Sequence, residues 1–147
     1  MKVVIQRVKS AELSVDNKIV SKISNGLVCY IGIGRGDNET QVDWLANKVA
    51  NLRILSDENG KMNKSVLDLK FEILVVSQFT LYGDIKNGYR PSFSGAETPV
   101  LSEEFYEKFI AKLVNLGVSK VSCGIFGADM MINQVNDGPV TIIIEKN

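Results

Sequence analysis

The sequence predicts an α+β domain built on a sheet or barrel, carrying two main helices. Three observations carry that expectation. Short β-rich runs recur from one end of the chain to the other. Two stretches place apolar residues at helical spacing, and the strands do not alternate strictly with helices as βαβ units would. At 147 residues, with no linker-like run, repeat or compositional shift, the chain reads as one domain over 1–147.

The elements follow in order. Lys2–Val8, Glu12–Val15 and Lys18–Ser24 are β-rich, and Asp16-Asn17 is a good turn pair, so the last two predict a hairpin. Leu27–Ile33 is almost wholly apolar, as in a strand buried on both faces, and Gly34, Gly36 and Asp37 end it. Over Glu39–Leu55 the residues Val42, Leu45, Ala46, Val49 and Leu52 make one helical stripe, with Asn38 as N-cap and Gln41 completing a capping box. Ile73–Val76 is a further buried strand. Gly83–Pro99 holds two of the three prolines and reads as a long loop. A second helix is expected over Pro99–Leu116, with Leu101, Phe105, Phe109, Leu113 and Leu116 on one face. Glu103 and Glu104 suit its positive end and Gly117 its stop. Val118–Cys123, Met130–Val135 and Val140–Glu145 close the chain as β segments. So much apolar strand surface suggests a homodimer.

Composition excludes several chemistries. There is no histidine, which removes Ser-His-Asp and Cys-His nucleophile systems and every His-containing metal site. Cys29 and Cys123 stand apart without zinc spacing and read as reduced, buried small hydrophobes of a cytoplasmic protein. No apolar run approaches the ~18 residues of a membrane span, and the charged start is unlike a signal peptide. With 17 basic and 17 acidic residues, polyanion binding needs a local patch. Gly32–Gly36 fails the dinucleotide fingerprint and reads as a strand-to-helix turn. The pairs Asp57-Glu58 and Glu103-Glu104 read as solvated charge.

Two segments carry candidate chemistry. Ser77-Gln78-Phe79-Thr80-Leu81 ends an apolar strand, where hydroxyls and backbone N–H groups can face a ligand carbonyl as an oxyanion hole requires. Its bland alternative is a capped strand end. Asn136–Thr141 (NDGPVT) has a Gly-Pro pair open to either isomer, its alternative being an ordinary tight hairpin turn.

Together, SQFTL and NDGPVT resemble the SQxTL and NxGPxT signatures of the D-aminoacyl-tRNA deacylase (D-Tyr-tRNA deacylase) family. VVIQRV (Val3–Val8), GKMN (Gly60–Asn63), RPSF (Arg90–Phe93) and FGADM (Phe126–Met130) extend the resemblance over the whole chain. It implies a compact barrel-like α+β homodimer that hydrolyses the ester between a D-amino acid, or mischarged glycine, and the acceptor end of tRNA. No cofactor, metal or membrane is implied. It further implies that Gly138-Pro139, in cis, enters the partner subunit's pocket, walled by Ser77, Gln78, Phe79 and Thr80, and that Arg7 braces the Gly-Pro segment. Phe126 and Met130 are candidate adenine-pocket residues, with core packing as the alternative. Lys61, Lys64, Lys86 and Arg90 are candidate phosphate contacts.

The chemistry permits this reading. Enantiomers carry identical groups, so a filter must fix the amino group and carbonyl and leave room in one direction only; backbone carbonyls of Gly138 and Pro139 suit exclusion of an L side chain. Without histidine, backbone N–H groups near Gln78–Thr80 with help from the ribose 2′-hydroxyl are the expected catalysts. Thr80 as covalent nucleophile is the alternative. Two other classes stay open, an editing enzyme that clears L-serine from tRNA and a non-catalytic module that binds the acceptor end.

Overall fold

A computed structural model describes all residues, Met1–Asn147. Strands β1 (Lys2–Val15) and β2 (Lys18–Ile23) form the expected hairpin. Asp16 and Asn17 take φ of 49° and 60°, left-handed at both central positions, which matches the twist of a two-residue hairpin. Strand β3 (Gly26–Gly32) pairs antiparallel with β1. Helix α1 (Glu39–Ala50) starts at the Asn38–Gln41 capping box. It ends five residues before the predicted Leu55. The apolar run continues, but Ile54 and Leu55 are buried from extended backbone, and Leu55–Ser56 (β4) pairs with Met62–Lys64 (β5). Neither that hairpin nor the one-turn helix α2 (Val66–Leu69), which carries its own Ser65–Asp68 capping box, was expected from periodicity.

Strand β6 (Glu72–Ser77) lies parallel to β3, and β7 (Lys120–Cys123) parallel to β6. Between them run a 3-10 turn (Phe79–Tyr82), the long loop, and helix α3 (Pro99–Asn115) with Pro99 in its first turn. Buried Ser102, Phe105, Tyr106, Phe109 and Leu113 define the inner face of α3. Leu101 instead faces outward, so the predicted stripe was shifted at its start. Glu103 and Glu104 lie beyond the first turn; Glu104 pairs with Lys108 at 2.8 Å.

Strand β8 (Met131–Glu145) corrects the largest sequence expectation. Asn136–Thr141 is no turn between two strands: one strand pairs antiparallel with β1 from Ser14↔Met131 to Lys2↔Glu145. The register slips in the middle. Gln6 faces Thr141 and Val8 faces Asn136, leaving Asp137–Val140 opposite Arg7 alone, so the segment bulges.

The sheet is nearly a closed barrel, with β2 and β7 brought together by Lys120 Nζ donating to Lys22 O at 2.7 Å and Ser21 Oγ donating to Cys123 O at 2.5 Å. Strand alternation then builds two cores. Val3, Ile5, Leu27, Cys29, Ile31, Ile73 and Val75 pack under α1 and α3. Val8, Ala11, Leu13, Ile23, Val28, Leu74 and Val76 fill the other face. Both cysteines are free; Cys29 is buried as expected and Cys123 only half-buried. No helix is long and apolar enough to cross a membrane.

Candidate functional site

Strands β3, β6 and β7 run in one direction, so the loops leaving them emerge at the same edge of the sheet. Ligands of parallel sheets collect there, because the strands end and their connecting segments splay apart. A cavity of about 590 Å³ opens at that edge. It is lined by Ile31 and Ile33 at the end of β3 and by Val76, Ser77, Gln78 and Phe79 at the end of β6. Phe126 and Met130, from the segment after β7, line it too, as do Pro99 and Ser102 from the first turn of α3. Two sequence-distant motifs thus share one cavity.

Polar groups in the Ser77–Leu81 segment are unevenly committed. The Gln78 N–H is used, donating to Ile31 O at 2.8 Å. That removes one of the backbone donors expected for an oxyanion. Phe79 and Thr80 open the 3-10 turn, and the first N–H groups of any such turn have no partner within it. Those two N–H groups carry no backbone partner, Phe79 lying in the cavity lining and Thr80 beside it. The Thr80 hydroxyl donates to Gln78 Oε1 at 2.8 Å. An amide oxygen orients that proton without being basic enough to remove it. Thr80 is exposed and stands beside the cavity, not in its lining.

The rim is also organised by Glu97, whose carboxylate accepts from Thr98 N at 2.7 Å and Gly36 N at 3.4 Å. The Thr98 N–H, more than any other contact, holds this carboxyl below its ordinary range, so it is an anion at neutral pH. Sequence reasoning missed Glu97; its only signal was its position two residues before Pro99, at the entry to α3. Tyr106 packs beside Phe126, with ring centroids 6.1 Å apart, and donates to Val75 O at 2.9 Å. Burial pushes its phenol well above the ordinary value.

Gly138-Pro139 is in cis and lies apart from this cavity. Gly138 has φ of +133°, and a Cβ there would come within 2.8 Å of Val140 N, so no other residue fits without rearrangement. Arg7 fixes the stem of the bulge. Its Nε donates to Asp137 O at 3.1 Å and its Nη1 to Ile54 O at 2.7 Å. Lys9 Nζ lies 3.2 Å from the Asp137 carboxylate. Gly138 and Pro139 themselves are exposed. Lys61 and Lys64 sit on the β4–β5 hairpin outside the cavity lining, whereas Lys86 and Arg90 lie on the loop beyond the 3-10 turn. No cluster of three or more Cys, Asp or Glu side chains has metal-holding geometry.

Comparison with known proteins agrees with the motifs. The family model described as D-Tyr-tRNA(Tyr) deacylase matches residues 4–145. A D-aminoacyl-tRNA deacylase of Aquifex aeolicus (strain VF5) is 53% identical over 99% of this chain and 98% of its own. One of Thermosipho africanus (strain TCF52B) is 50% identical over 99% of this chain and 97% of its own. A solved structure described as a c-Myc DNA unwinding element binding protein superposes with a TM-score of 0.95 at 38% identity, covering 100% of this chain and 99% of that one.

Proposed function

Because this chain belongs to the D-Tyr-tRNA deacylase family, and is therefore a hydrolase of the ester in D-aminoacyl-tRNA, we propose that it works as a single-domain homodimer reading handedness with main-chain atoms. In this reading Gly138-Pro139 of one subunit enters the other's cavity. The observation that carries it is the bulge in β8: Arg7 fixes its stem, its tip is exposed, and it does not reach the cavity of its own chain. A rigid exposed tip and a cavity that lacks it are complementary parts of a two-fold assembly.

The tip's carbonyl oxygens accept from the substrate's α-ammonium group and occupy the space an L side chain would need. A D side chain points away, and glycine has nothing to exclude, so mischarged Gly-tRNA is also cleaved. Phe126 and Met130 take the terminal adenine between apolar surfaces. The Phe79 and Thr80 N–H groups stabilise the developing oxyanion, and the ribose 2′-hydroxyl orients the attacking water. An aminoacyl ester is reactive enough for positioning and charge stabilisation to carry the rate. The Thr80 hydroxyl, bound to a neutral amide, has no base to make it a nucleophile, which favours the water route.

Incubation with matched D-Tyr-, L-Tyr- and Gly-tRNA tests the reading. Release of D-tyrosine and glycine with L-tyrosine spared is expected. Equal release of both enantiomers overturns the handedness filter, L-Ser release points to the editing class, and binding without release to the non-catalytic module.

A further inference from the structure

The loop between the 3-10 turn and α3 is not featureless. Asp84 and Ser92 exchange two backbone hydrogen bonds of 2.8 Å each, and the Asp84 carboxylate accepts from Lys86 N at 2.9 Å. These contacts pinch the loop into a tongue, Asp84–Ser92, with a fixed base. Its base adjoins the cavity mouth, where Phe93 meets Phe79 edge to face at a centroid separation of 5.0 Å.

The composition of the tongue is unusual for a solvated loop. Tyr89 is fully exposed, and Ile85 is 67% exposed. Lys86 and Arg90 flank Tyr89 in sequence, and neither makes an ion pair. The one acid of the tongue, Asp84, is turned into its base. An unpacked aromatic ring between free cations is the combination that holds single-stranded nucleic acid, the ring stacking on a base and the cations meeting phosphates. The net charge of zero makes such a local concentration the means of binding a polyanion.

We infer that the tongue grips the unpaired nucleotides preceding the terminal adenosine of the substrate, Tyr89 stacking on a base and Lys86 and Arg90 meeting the backbone. This rests on the reading of the cavity as the site for the aminoacyl ester. Scale agrees: Tyr89 is four residues from Phe93, a reach of at most about 13 Å, and stacked nucleotides rise ~3.4 Å each. The tongue's reach is therefore at most about four stacked nucleotides beyond the mouth. Recognition of this kind reads the single strand by its π-faces and charge, so it serves every substrate sharing that end.

The test compares two substrates and one ligand. Tyr89→Ala should raise KM for D-Tyr-tRNA about five- to a hundredfold, the range expected for one lost stacked base. The same variant should leave KM for the ester of D-tyrosine with adenosine alone unchanged, and Tyr89→Phe should restore tight binding. Replacing both Lys86 and Arg90 by Gln should lower the slope of log affinity against log salt by about 1.4. A fluorescent single-stranded RNA ending in an unesterified CCA should bind more weakly to Tyr89→Ala in an anisotropy titration. Equal effects on both esters, or on neither, overturn the proposal. So does a change of oligomeric state in Tyr89→Ala, which would make the tongue a subunit contact. Tyr89-dependent binding of the RNA without any deacylation would leave the tongue's role standing while the hydrolase reading falls.

Discussion

Arg7 shows how much work one side chain does in this fold. Its side chain is 11% exposed, and its directional donors join Asp137 in β8 to Ile54 beyond α1. Lysine has one compact ammonium and cannot span both carbonyls. Arg7→Lys is expected to cost about 1–3 kcal/mol of stability in urea titrations, the price of an unsatisfied buried acceptor. It is also expected to slow D-Tyr-tRNA hydrolysis more than tenfold, because the tip it anchors would wander. Lost stability with an unchanged rate would reduce Arg7 to a structural brace. Thr80→Ala separates the two chemistries at the same scale: a rate within about tenfold of the parent is expected if backbone N–H groups and water act. Loss of a covalent nucleophile would instead collapse kcat by several orders of magnitude. The residue types at these positions were legible in the chain, since Ser77–Leu81 and Asn136–Thr141 stand out as polar or Gly-Pro runs beside apolar strands. Their commitments were not. That Gln78 spends its N–H on Ile31, while Phe79 and Thr80 keep theirs, depends on a 3-10 turn that periodicity does not announce.

Elements were legible where one apolar pattern served one structure. The period-2 alternation of β3 and β6 sends Leu27, Cys29 and Ile31 to one core and Val28 to the other, so nearly continuous apolar runs correctly signalled strands covered on both faces. The pattern failed where a run changed structure midway, as at Ala50, or where a strand contains a bulge. Gly-Pro in β8 read as punctuation because proline cannot donate to a ladder; here it stands outside the ladder while the strand resumes at Thr141. One sheet contact is close enough to test alone. A Cβ on Gly26 would lie 1.8 Å from Glu72 O in the neighbouring parallel strand. Gly26→Ala is expected to cost about 3 kcal/mol or more, since the backbone carbonyl cannot swing aside as a side chain would. A urea midpoint equal to the parent's would mean that β3 and β6 can separate there at little cost.

At the scale of the whole molecule, the absence of histidine shapes the response to pH. Backbone N–H groups hold three carboxyls below their ordinary range: Lys61 for Asp57, Ser65 for Asp68 and Thr98 for Glu97. In Glu72 burial pulls upward but is outweighed by hydrogen bonds from Ser24 and Lys120. Lowered carboxyls add stability above the unfolded values near 4 and lose it as pH falls through the folded ones. Burial raises Cys29, Tyr30, Tyr82 and Tyr106, so the unfolded chain ionises first and stability declines as pH climbs above about 8.5. Between about pH 5 and 7 the urea midpoint should therefore stay level, and a step inside that window would point to a coupled group beyond these. The cavity at the shared strand edge has a further consequence. Its walls belong to three separate crossings that leave a common frame, so each can lengthen, shorten or change residues while the barrel stays as it is. On the proposed reading, the contacts these walls make to the rest of the substrate are thus modular: a descendant sequence could acquire a new clientele through one replaced segment, without altering the strands of the barrel.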